Sequence, residues 1–88
     1  MEITLINNIV MQDISGKIKQ LMVDKLGVNE NELTDSATFK DDLNVDSLDV
    51  MELQMELEKQ FNLEIPQEDA DKLITVGSVI KYVNKQMT

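Results

Sequence analysis

Eighty-eight residues with a formal net charge of −9 make one small acidic domain. Its basic side chains are all lysines, and cysteine, histidine, arginine and tryptophan are absent. These absences remove a disulfide framework, the usual nucleophile–base pairs and the commonest zinc ligands, so an enzyme is not expected and no catalytic or metal-ligating residue is assigned.

The acidity argues against nucleic acid or an anionic membrane surface as a partner and favours basic protein surfaces. No apolar run approaches the roughly 20 residues of a membrane span. The apolar segment Met1–Met11 has Glu2 where a secretory signal has a basic residue, and it lacks a small-residue cleavage site, so the expected location is the cytoplasm. The aromatic residues are Phe39, Phe61 and Tyr82, which leaves Leu, Ile, Val and Met to build the core. No alternating run of useful length and no internal repeat is present.

The first helical pattern is Val10, Ile14, Ile18 and Leu21, with Met22 and Leu26 beside it. Asn7, Asn8 or Asp13 is its expected N-cap, and Gly27 its left-handed stop. Residues 28–45 read as a long loop punctuated by Asn and Asp, with Val28, Leu33, Phe39 and Leu43 as apolar anchors. A second helix is expected over Ser47–Phe61, capped by Asp46 and closed by Asn62. Pro66 opens a short third helix over about Gln67–Leu73, and Thr75 caps a last one over about Val76–Lys85, with Val79, Ile80 and Val83 facing inward. The fold class is therefore all-α, a small antiparallel bundle of three main helices plus one short helix, with a long loop between the first and second.

The chemistry centres on Asp41-Asp42-Leu43-Asn44-Val45-Asp46-Ser47-Leu48-Asp49. Ser47 falls in the first turn of the second helix, after the loop, where its hydroxyl is expected to be exposed. No histidine is available as its base, and no Ser-x-x-Lys pattern follows. Ser47 is thus a substrate hydroxyl for another enzyme or a simple capping residue. A phosphodiester there would sit at the positive end of the helix dipole, opposed by Asp46 and Asp49.

At about 100° per residue, Val50, Leu53, Leu57 and Phe61 form the core face of this helix. Leu48, Met51 and Met55 form a second stripe, turned by roughly 150° from the first. Either that stripe packs under the loop or the short helix, or it is a docking surface. Glu52 and Glu56 flank it on one side and Glu58 on the other. Between residues 41 and 58 the acidic residues are Asp41, Asp42, Asp46, Asp49, Glu52, Glu56 and Glu58, with no basic residue among them. Such a surface steers a basic-rimmed partner by charge and holds it by adaptable methionines.

Asp46-Ser47-Leu48-Asp49, preceded by Asp42-Leu43, resembles the phosphopantetheine attachment motif of acyl carrier proteins. The similarity continues through Met51-Glu52-Leu53, Leu57-Glu58-Lys59-Gln60-Phe61, Leu63-Glu64-Ile65-Pro66, the acidic Glu68, Asp69 and Asp71, and Ile74-Thr75-Val76 to Tyr82-Val83, covering about residues 12–86. The resemblance implies an extension over residues 1–11 and a carrier domain over 12–88. It implies 4′-phosphopantetheine, taken from coenzyme A with Mg²⁺ by a phosphopantetheinyl transferase and held covalently on Ser47. It implies a monomer that presents acyl thioesters to acyltransferases and to the enzymes of dissociated fatty acid synthesis. Docking would then use Asp46, Leu48, Asp49, Met51, Glu52, Met55, Glu56 and Glu58. It also implies an acyl cavity lined by Val50, Leu53, Leu57, Phe61, Ile65 and Ile74.

Three features depart from the pattern. Asn44 stands where the family commonly has glycine, and asparagine tolerates the left-handed backbone such a turn needs. Lys59 stands where an acid is frequent. Met1–Val10 precedes the usual start, so that Met11 is the natural beginning or the extra residues lengthen the first helix. Two rival readings remain open. One is a carrier for a specialised polyketide, peptide or lipid pathway, and the other a non-carrier acidic interaction domain. Calcium binding lacks the required ligand spacing, leaving at most weak divalent binding near Asp41, Asp42, Asp46 and Asp49.

Overall fold

The computed structural model describes residues 2–87, with side chains from Ile14 onward. The α-helices are α1 (Glu2–Leu26), α2 (Ser47–Phe61), α3 (Gln67–Ala70) and α4 (Val76–Met87), with a 3₁₀ turn at Glu30–Glu32 in the long loop. Both α2 and α4 pack on α1. Among the described residues no helix is long and apolar enough to cross a membrane.

The start of α1 differs from the sequence-based expectation. Its helical backbone already begins at Glu2, so Asn7, Asn8 and Asp13 lie inside the helix rather than capping it. No proline or glycine interrupts residues 2–12, and an interior asparagine costs only about half a kcal/mol or so of helix propensity. The end is as expected. Gly27 takes φ +69° and its N–H donates to the Val23 carbonyl at 3.0 Å.

Helix α2 keeps its expected limits because both ends are built locally. The Asp46 carboxylate accepts the Asp49 N–H at 2.9 Å, and Asn62 closes the helix at φ +52°. Helix α4 runs two residues past Lys85, to Met87. Its first turn is closed reciprocally. Ser78 N–H donates to Thr75 Oγ1 at 3.1 Å, and Thr75 N–H donates to Ser78 Oγ at 3.0 Å.

Helix α3 is shorter than expected, ending at Ala70 instead of Leu73. After Asp71 the hydrogen bonds tighten from four residues to three, Lys72 to Asp69 and Leu73 to Ala70, and this turn carries Leu73 into the core. Pro66 occupies the N-cap rather than the first helical position. The Tyr82 hydroxyl of α4 donates to Asp69 of α3 at 2.8 Å. Burial first, and then the Asp69 hydrogen bond and charge, push the Tyr82 hydroxyl above its ordinary pKa.

The core joins Ile14, Ile18 and Met22 of α1, Leu53, Leu57 and Phe61 of α2, and Val76, Val79 and Val83 of α4. Met22 is fully buried while Leu21 is only half-buried, and Ile80 also stays half-buried at the core margin. From the loop, Leu33, Phe39 and Leu43 are buried as expected, and Ala37 and Val45 join them.

The loop is fastened at a second place. Gly77 N–H donates to the Asp35 carbonyl (2.9 Å), Val76 N–H to Ala37 (3.0 Å) and Phe39 N–H to Ile74 (3.2 Å), around a Thr38–Thr75 bridge. A Cβ at Gly77 would stand 2.7 Å from the Asp35 carbonyl oxygen. That contact is with backbone, so the two bridged segments must separate to admit a methyl. Gly77→Ala is expected to destabilise by about 1–3 kcal/mol, read as a lower urea midpoint at unchanged slope.

Candidate functional site

Ser47 is positioned by the loop before it. Thr38 and Asp42 bond reciprocally: Thr38 N–H donates to the Asp42 carboxylate at 2.9 Å, and Asp42 N–H to Thr38 Oγ1 at 3.1 Å. Leu43 is then buried, Asn44 turns the chain at φ +54°, and Val45 is buried in turn, its N–H donating to the Phe39 carbonyl at 2.8 Å. These anchors deliver Asp46 as cap and Ser47 as the first helical residue, with its side chain exposed. The amides of Ser47 and Leu48 have no intrahelical acceptor. The neighbouring Asp46 Oδ1 is committed to the Asp49 N–H. The arrangement offers an accessible hydroxyl with helix amides beside it and no imidazole to activate it. It suits a group acted on by another enzyme.

The two stripes of α2 are distinct. Leu53 and Leu57 are 1% and 0% exposed, whereas Leu48, Met51 and Met55 are 64%, 57% and 64% exposed. Neither the loop nor α3 covers the second stripe. The acidic residues around it are not equivalent. Asp46 and Glu52 are exposed, and Asp49 is half-buried. The Glu58 carboxylate accepts the Ile65 N–H at 2.9 Å, so it braces the α2–α3 connection. Glu56 accepts from Gln60 Nε2 at 2.8 Å and pairs with Lys25 at 3.8 Å. The Gln60 hydrogen bond, followed by the charges of Lys25 and Lys59, holds the Glu56 carboxyl below its ordinary pKa against the opposing effect of burial. Glu56 and Glu58, the two rim acids farther from Ser47, are thus already engaged by other groups of the chain.

A cleft of about 550 Å³ opens beside Ser47 between α2 and the α3–α4 connection. Of the six residues expected around an acyl cavity, Val50 and Ile74 line it, Ile74 as a 60% exposed side chain. Leu53, Leu57 and Phe61 are packed into the core, and Ile65 is half-buried against the core, away from the cleft wall. The sequence reading missed Phe39, Val45, Met51 and Leu73 as cleft residues. The loop anchors Phe39 and Val45 were visible as isolated apolar residues, but nothing in their spacing tells which cleft they face. Among the described residues, no three His, Cys, Asp or Glu side chains gather as a set of metal ligands.

An exposed serine with helix amides beside it, at the edge of a largely apolar cleft, fits a covalently attached, phosphate-linked arm. Comparison with known proteins gives the same reading. A family described as "phosphopantetheine attachment site" matches residues 16–83. Among solved structures, the acyl carrier protein from Enterococcus faecalis is similar, at 36% identity and a TM-score of 0.74, over 85% of this chain and 95% of that one. With the family match spanning most of the fold and the solved relative agreeing in both sequence and architecture, this chain belongs to the phosphopantetheine-bearing acyl carrier proteins.

Proposed function

We propose that Ser47 carries the 4′-phosphopantetheine arm and that the protein presents acyl intermediates to the enzymes of dissociated fatty acid synthesis. The observation that supports this most is Ser47 itself, an exposed hydroxyl at the start of α2, at the edge of an apolar cleft and the head of an exposed Leu-Met-Met strip. In the loading reaction the Ser47 oxygen forms a bond to the phosphorus nearest the pantetheine of coenzyme A. The pyrophosphate bond breaks, adenosine 3′,5′-bisphosphate leaves, and the serine proton passes to a base of the transferase. When bound, the arm supplies the thiol that this cysteine-free chain lacks and on which acyl groups are held as thioesters. The chain's own part is placement. Asp46 fixes the first turn of α2, Val45 and Leu43 hold the loop, and the cleft gives an apolar chain a place beside its attachment point.

Partners find the site through the strip and its acidic rim, Asp46, Asp49 and Glu52 above all. Met55→Glu is expected to reduce turnover by a basic-surfaced partner by about tenfold or more while leaving the unfolding free energy within about 0.5 kcal/mol of wild type. Unfolding of that variant would instead place Met55 in the core. The pathway is tested by loading the holo protein. Malonyl transfer from malonyl-coenzyme A by a fatty-acid-type transacylase supports fatty acid synthesis. Failure there, with loading by an adenylating ligase, assigns the carrier to a specialised pathway.

A further inference from the structure

Among the described residues that line the cleft beside Ser47, Lys40 is the cationic one, and the acidic ones are Asp46 and Asp71. Lys40 is exposed, and among the described residues it has no ion-pair partner. Its backbone is nonetheless fixed. On one side Phe39 is 3% exposed, donates its N–H to Ile74 and accepts from Val45. On the other, Asp42 is locked to Thr38 by reciprocal bonds. Lys40 thus sits within a closed turn whose base is held by backbone bonds, on the cleft that Ser47 also lines.

The setting has an electrostatic deficit. A phosphodiester on Ser47 adds a negative charge between Asp46 and Asp49, and the Asp46 cap has already taken one of the helix amides that could face it. A lysine on the same cleft is placed to offset that charge. Building on the assignment of the arm to Ser47, we propose that Lys40 is the counter-ion of the arm's phosphodiester, holding the root of the arm at the cleft. Among the described residues Lys40 has no ion-pair partner, so the pairing proposed here arises on modification.

A thermodynamic cycle between the arm and the lysine tests this. Wild type, Lys40→Ala, Lys40→Gln, Lys40→Arg and the remote control Lys81→Ala are each prepared apo and holo, with intact mass confirming the arm. Melting is then followed at about 10 mM and about 1 M salt. Comparing apo with holo cancels whatever Lys40 does for the fold itself. At low salt the change in Tm on adding the arm is expected to be less favourable by about 1–4 °C in the Ala and Gln variants than in wild type. Arg and the Lys81 control should behave as wild type, and the difference should vanish at high salt. The phosphorus NMR resonance of the holo protein should move with Lys40→Gln and stay in place with Lys81→Ala. An arm-dependent Tm change equal in wild type and both neutral variants, with an unmoved phosphorus resonance, overturns the role of Lys40 and leaves the Ser47 assignment standing. Absence of any mass gain in wild type overturns both.

Discussion

Ser47→Ala is expected to remain folded and to gain no mass when incubated with coenzyme A, Mg²⁺ and a broad-specificity phosphopantetheinyl transferase, while wild type gains one arm. The loss should be complete, because among the described residues no other one combines an exposed hydroxyl with this loop and helix start. Ser36 lies in the loop and Ser15 within α1, and the Ser78 hydroxyl is consumed in the α4 cap. Folding should be spared. Ser47 is exposed and occupies the first helical position, where alanine is a good helix former, and the cap is supplied by Asp46. A change in stability within about 0.5 kcal/mol is expected. A variant that still gains the arm would move the attachment point elsewhere. A folded wild type that gains none would favour the acidic interaction domain.

The largest effect on stability is expected at Leu57→Ala. Leu57 is fully buried on α2, where α1 and α4 meet the same core. Truncation removes its burial and leaves a cavity, together worth about 2–5 kcal/mol. A domain of this size sits towards the low end of the usual 5–15 kcal/mol of stability, so the loss takes much of the total. Urea denaturation followed by far-UV circular dichroism should show it as a midpoint moved far to lower urea. Leu57 lies two residues from Met55, and the contrast between them is the decisive one. Truncating the buried side chain should cost the fold, and charging the exposed one should cost the partner.

Helix α2 and its serine were legible because their signals are short-range. An aspartate before Ser47, an asparagine after Phe61 and two stripes at helical spacing fix limits and faces without reference to the rest of the molecule. The second stripe, Leu48, Met51 and Met55, was legible as a stripe, but whether the loop or α3 covers it was left open, and its exposure comes from the structure. The start of α1 was misread because Asn7 and Asn8 are good caps and also acceptable helix residues, and sequence alone does not rank the two uses. The end of α3 was misread for a different reason. Its helical pattern runs on to Leu73, but burying Leu73 and setting Thr75 as a cap require the tighter turn. The cleft was only partly legible. Val50 follows from α2 periodicity, whereas Phe39, Val45 and Leu73 reach it through backbone bonds between distant segments. Glu56 and Glu58 read as acids flanking the strip; their contacts with Lys25 and the Ile65 amide have no spacing signature and come only from the structure.

The Thr38–Thr75 bridge has one more consequence. The whole cleft wall, from Phe39 to Ile74, lies between its two partners, as do Ser47 and the Leu48–Met51–Met55 strip. The bridge's hydrogen bonds join residues 35–39 to 74–77 and none involves α1. Chain closure makes this stretch a cassette, with α1 and α4 as the frame that receives it. Exchanging residues 38–75 between related carriers should therefore move the proposed attachment serine, its cleft and the exposed strip together, provided the α2 core face still fits Ile14, Ile18 and Met22 of α1.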